Sequence, residues 1–231
     1  MSHGSNNIRG LVHGKIGDQI AIVLHGKQFY KRLYKPTNPQ TPKQQMHRYK
    51  LAFANQLSAV LADAINLGFA AVPKADSGQS PRNAFVHENF NNGAFVWDEE
   101  LGAWGVRPEL LKLACGPRYI GEGMTAAVEG KVLRITCPNP GLKDSRAVDD
   151  DQLMVAIYRP AMQRMHLLPG PMRKECGECD FPLPENAGNE EDMLLVYAWF
   201  QATRNHRSAG SKAAVRLNQA SSSVFLGCLA I

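Results

Sequence analysis

The sequence predicts an α+β protein that is mainly β: an N-terminal β-hairpin and one long helix, followed by an Ig- or fibronectin-like β-sandwich. Three observations predict it. Two β-branched and aromatic runs flank His25-Gly26-Lys27, the stretch Thr41–Gly68 carries a complete set of helix signals, and seven short strand candidates lie between Met124 and Asn218.

Residues 1–14 contain His3, His13 and several Gly, Ser and Asn, and read as a flexible arm ordered by a partner. Gln19–Leu24 and Gln28–Tyr34 then form the hairpin, with Gly26 in the tight turn. On the second strand Phe29, Lys31 and Leu33 share one face, and Tyr30, Arg32 and Tyr34 share the other. Lys35-Pro-Thr-Asn-Pro-Gln turns the chain toward the helix.

Thr41 can N-cap that helix, Pro42 suits its first position, and Gln44 completes a T-x-x-Q capping box. Met46, Tyr49, Phe53, Leu57, Val60, Leu61, Ala64 and Ile65 recur in steps of three and four and should form its buried stripe. Gly68 is expected to end it in a left-handed conformation. Beyond it, Pro73–Pro81 reads as a loop and Asn83–Asn91 as a second, shorter helix. Ala94–Trp97 and Val106–Cys115 read as strands joined by a loop at Asp98–Gly102. Glycines and a proline between 116 and 124 suggest a boundary, giving an arm at 1–14, a basic hairpin-helix region at 15–118 and a sandwich at 119–231.

The sandwich strands are expected at Met124–Val128, Val132–Cys137, Leu153–Arg159, Gln163–Leu168, Cys179–Leu183, Met193–Ala202 and Ala213–Asn218. Leu153–Tyr158 and Met193–Phe200 are continuously apolar rather than alternating, so both should be covered on two faces. The tail Ser221–Ile231 reads either as a last strand in the sheet or as a docking peptide.

The 231 residues are 44% hydrophobic and 20% charged, ordinary globular values with ample length for a core. No apolar run is long enough to span a membrane, and the polar N-terminus MSHGSNNIRG argues against Sec-type secretion. Five cysteines, an odd number in mostly apolar surroundings, fit reduced thiols in the cytoplasm. Charge is unevenly placed: residues 1–50 hold nine Lys/Arg against Asp18, a net of +8, whereas the rest hold 17 basic against 20 acidic residues, a net of −3. Lys27, Lys31, Arg32, Lys35, Lys43 and Arg48 are therefore the candidate contacts for an anion or a partner.

Catalytic signatures are weak. Cys176-Gly-Glu-Cys179 has the spacing of half a zinc site, but Cys115, Cys137 and Cys228 are isolated in sequence and Pro182 and Pro184 exclude a thioredoxin-like helix, so a core role is favoured. His87-Glu88 lacks the second histidine of a zincin helix, and Asp149-Asp-Asp151 reads as a solvated loop rather than a calcium site. Neither a phosphate-binding glycine loop nor a flagged nucleophile is present. No cofactor or metal is expected.

Gly14-Lys-Ile-Gly17, Gly26-Lys27, Arg32, Asn38-Pro-Gln-Thr-Pro-Lys-Gln44, Arg48, Phe53 and Gly68-Phe69 together resemble a family of Bacteroidota proteins of unknown function, which combine this block with a β-sandwich-like C-terminal half. The resemblance covers most of the chain, though Cys176-x-x-Cys179 departs from it, and it brings no catalytic residues. The Asn38–Gln44 segment is also similar to segments of phage-associated structural proteins. The expected function is that of a non-enzymatic structural or assembly protein. It would be a homo-oligomer or bind other subunits, in the cytoplasm or in a phage particle. The alternative is a nucleic-acid-binding protein using the basic N-terminal face.

Overall fold

The computed structural model describes residues 12–24, 26–33, 40–70, 80–138, 146–183, 193–203 and 219–230. The chain forms two compact units, Met1–Gln45 and Met46–Ile231. It is mainly β, with several antiparallel sheets and three helices among the described residues.

In the first unit, β1 (Gly14–Ile16), β2 (Gln19–Leu24) and β3 (Lys27–Arg32) form an antiparallel sheet in that order. Gly26, at φ 73°, supplies the left-handed residue that the β2–β3 turn needs. Cross-strand neighbours are Lys15 with Ile20, Ile20 with Lys31, and Ile22 with Phe29. Among the unit's described side chains Ala21 alone is buried. The proposed arm lies mostly at residues 1–11, outside the described residues.

Helix α1 (Pro42–Val60) starts at the expected cap. The Thr41 N–H donates to Gln44 Oε1 and the Gln44 N–H donates to Thr41 Oγ1, both at 3.4 Å, a loose reciprocal box. The single helix expected to Gly68 is instead interrupted at Leu61, and α2 (Ala62–Gly68) follows. Hydrogen bonding nevertheless passes through the interruption, from Leu61 N–H to Leu57 O and from Ile65 N–H to Leu61 O, each 3.0 Å. The buried stripe is Ala54, Leu57, Ser58 and Leu61, while Tyr49 is 59% exposed. Each four-residue step overshoots a helical turn by about 40°, so Tyr49 lies about 80° around the axis from Leu57.

Gly68 does not have a positive φ, so it is not the left-handed terminator expected. Its constraint is space: a Cβ there would stand 2.3 Å from the Leu113 carbonyl oxygen and 2.7 Å from Ala114 Cα. Gly68→Ala is expected to cost about 1–3 kcal/mol by overpacking. Urea denaturation checks this, and an unmoved midpoint would mean that Leu113-Ala114 shifts freely.

Helix α3 (Pro81–Asn91) is capped by Ser80, whose side chain accepts the Asn83 N–H at 3.2 Å. Hairpin β4 (Phe95–Asp98) and β5 (Ala103–Val106) pairs Trp97 with Trp104. The strand expected at Val106–Cys115 is therefore only its first residue. Pro108 has no N–H for a ladder and opens a 3-10 turn, Pro108–Leu110. Beyond it the backbone is satisfied by scattered partners: Lys112 N–H by Asn89 Oδ1 at 2.8 Å, Leu113 N–H by Ser223 Oγ at 2.9 Å, and Cys115 N–H by Gly68 O at 3.1 Å. Leu111, Leu113 and Ala114 are buried, which is why the run looked like a strand.

Among the described residues seven strands follow: β6 (Thr125–Glu129), β7 (Val132–Thr136), β8 (Asp151–Arg159), β9 (Arg164–Met172), β10 (Glu178–Pro182), β11 (Met193–Ala202) and β12 (Val224–Ala230). They make two antiparallel sheets, ordered β10-β7-β6 and β12-β11-β8-β9. β9 runs through Pro169 and Pro171, which an edge strand tolerates. The tail is the edge strand β12, with Leu195 opposite Cys228. The strand expected at Ala213–Asn218 lies outside the described residues.

Alternation then explains the continuously apolar strands. Leu153, Val155 and Ile157 of β8 and Leu194, Val196, Ala198 and Phe200 of β11 face Leu133, Ile135, Cys179 and Phe181 of the three-stranded sheet. Met154, Ala156, Tyr158, Leu195, Tyr197 and Trp199 point the other way, into a second core with Leu57, Leu61, Ile65, Phe69, Phe85 and Phe95. The central pair β8–β11 is thus buried between a sheet on one side and helices with a hairpin on the other.

Candidate functional site

The N-terminal sheet distributes the six candidate cations unevenly. Lys27 and Lys31 share one face of β3 with Phe29, and the register places Lys15 beside Ile20 and Lys31 on that same face. All three lysines are exposed. Arg32 has the opposite parity and lies 3.9 Å from Asp18, with both side chains largely in solvent, so the pair contributes little. Lys43 and Arg48 are exposed on α1, and Lys35 lies outside the described residues. Lys15 was missed because it sits in a three-residue strand between glycines, where no alternation is visible.

The most strongly built polar cluster is buried. Arg173, in the short 3-10 turn Arg173–Glu175, and Asp151, at the start of β8, have side chains 0% and 1% exposed and approach to 3.4 Å. Arg173 also donates to the Tyr119 carbonyl oxygen, and its guanidinium lies 3.7 Å from the centroid of Phe200. Burial lowers the Arg173 pKa from its ordinary value, against the pull of Asp151. Arg118 Nε stands 3.9 Å from the other Asp151 oxygen, and the Val148 N–H donates to Asp151 Oδ2 at 3.2 Å. Asp151 is therefore no part of a solvated acidic loop. The cluster ties the connector at 118–119 to β8, β11 and the turn after β9, which is structural work.

Beside Arg173 stand two thiols, Cys137 and Cys176, and Cys179 neighbours both of them. Burial first, then Cys179 and Cys137, pushes the Cys176 thiol up to about 12, so it is protonated and a poor nucleophile at neutral pH. Cys179 is 7% exposed on β10, opposite Ile135. Among the described residues no group of three or more His, Cys, Asp or Glu side chains is arranged to hold a metal ion. His87-Glu88 is likewise diverted: Glu88 pairs with Lys112 at 2.6 Å.

Between α1 and α3 runs a groove of about 450 Å³. His47, Leu51 and Asn55 recur every four residues on one wall, and Asn83, His87 and Asn91 on the other. It offers imidazoles and carboxamides, and among the described residues its lining contains no carboxylate or fixed cation.

His166 on β9 has a shielded Nε2 with no hydrogen-bond partner. Burial, then Arg159 and Arg164, lowers its pKa below the ordinary histidine value. The folded protein thus binds this proton less readily than the unfolded chain, so the contribution is fully present above about pH 6.5 and is lost as pH falls through the lowered folded value. Thermal melting across that range should show stability falling on acidification, with the slope reduced in His166→Gln.

No helix among the described residues is long and apolar enough to cross a membrane. Comparison with protein-family models, with curated proteins and with solved structures gives no match to this chain.

Proposed function

We propose that the chain is a non-enzymatic structural or assembly protein, a subunit of a larger particle such as a phage virion, related to the Bacteroidota family whose N-terminal block it resembles. It would work in the cytoplasm or within that particle. The observation that carries this reading is the thinness of the N-terminal sheet: among its described side chains only Ala21 is buried, while Val12 and Ile16 are 37% and 45% exposed. A three-stranded sheet becomes stable by burying a hydrophobic face, and a second chain can supply the cover. The face bearing Ile16 and Tyr30 would meet that chain.

The C-terminal half is proposed to be fibronectin-like. Labelled A to G in chain order, β6–β12 give one sheet E-B-A and another G-F-C-D, a three-plus-four division suited to a sandwich. A display or spacer domain of this kind needs no catalytic site.

Light scattering after size exclusion tests assembly. A mass above one chain is expected across the micromolar range, and Val12→Asn/Ile16→Asn should lower it without changing the melting of the C-terminal unit. A strictly monomeric wild-type protein overturns the proposal.

A further inference from the structure

We propose that the lysine face of the β1–β3 sheet binds the phosphate backbone of single-stranded nucleic acid. The inference uses the same sheet as the assembly reading, but the opposite face, and does not require self-association.

Charge is the first argument. Residues 1–45 carry seven Lys/Arg against Asp18, a net of +6, and Asp18 lies in the β1–β2 turn beside Arg32. On the face in question Lys15, Lys27 and Lys31 are exposed, with Ile20 and Ile22 between them. Geometry is the second. Lys27 and Lys31 are four residues apart on one strand, about 13 Å, and Lys15 is two strands from Lys31, about 10 Å. That spacing lets each ammonium meet a separate phosphate of an extended chain while the isoleucines touch sugars and bases.

Side-chain type is the third argument. A lysine ammonium is a hydrated point charge that meets a phosphate without a fixed approach geometry, whereas arginine's planar fork is favoured where a carboxylate or phosphate is gripped bidentately. The strand residues of this face include three lysines and no arginine, and Arg32 is on the other side. The face therefore presents a line of separate point charges, which suits the repeating charges of a phosphate backbone. An open sheet face also suits unpaired strands, whose bases are free to lie on it.

The test uses full-length protein and short fluorescein-labelled oligothymidylate and oligouridylate, read by anisotropy. Binding is expected at low salt, with a log–log slope of about −2 for three contacts, or about 20-fold weakening between about 50 and 200 mM salt. Lys15→Glu/Lys27→Glu/Lys31→Glu should abolish it. A charge-matched control, Arg107→Glu/Lys131→Glu/Arg164→Glu, changes exposed cations of the other unit and should retain it. The Val12→Asn/Ile16→Asn variant should also bind, whatever its oligomer mass, which separates this inference from the assembly reading. Absence of binding at low salt, equal loss in the control, or equal affinity for a polyglutamate peptide would overturn it. Preference between the two oligonucleotides would identify the polymer.

Discussion

Replacing Asp151 by alanine is expected to cost about 3–5 kcal/mol, because it strands cationic partners in the interior. Asp151 is the acid facing Arg173 at 3.4 Å and Arg118 at 3.9 Å, and the three side chains are between 0% and 8% exposed. Coulomb attraction in such a pair does little more than offset the desolvation of its members, so the loss measures the isolated charges rather than a strong bond. Two companions follow from that distinction. Asp151→Asn keeps an acceptor for the Val148 N–H but removes the charge, and should recover part of the loss. Asp151→Leu combined with Arg173→Met should cost less than the sum of the single changes, since it removes the stranded guanidinium along with its acid. Chemical denaturation of the wild type and the five variants, the single Asp151→Leu and Arg173→Met changes among them, reads all of this. An Asp151→Ala protein with an unchanged midpoint would show that water reaches the cluster.

Sequence patterns revealed this fold where structure is local and hid it where structure depends on distant partners. The capping box at Thr41–Gln44 and the hairpin around Gly26 are short-range, and both are present. The run Val106–Cys115 has the composition of a strand, yet Pro108 and the side chains of Asn89 and Ser223, far away in sequence, give it an irregular path. Gly68 announced a helix end but is required by the approach of Leu113-Ala114. The candidate surface was legible in part: residue counting located the cations and alternation put Lys31 and Arg32 on opposite faces, but only strand register adds Lys15 and Lys27 to the face of Lys31. Asp151, read as one of three solvated acids, could not be distinguished from its neighbours before its partners from residues 118 and 173 were placed.

Trp199→Ala is expected to cost a further large sum, about 3–5 kcal/mol, through the cavity left by a fully buried indole. Trp199 is 0% exposed on β11, in register with Met154 of β8, and faces the helical core. Its Nε1 donates to Gln201 Oε1 at 3.2 Å, so truncation also strips a buried carboxamide of a donor. The next residue, Phe200, points into the other core, under the Arg173 guanidinium. One strand therefore anchors both cores. Loosening either side should loosen the shared strand, and Trp199→Ala and Phe200→Ala should lower a single common transition, whether followed by far-UV dichroism of the helices or by near-UV dichroism of the aromatic core. If Trp199→Ala instead separated an early loss of helix from a later loss of sheet, the helices would be a detachable cover, and the two-sided burial of β8 and β11 would not bind the layers into one cooperative unit.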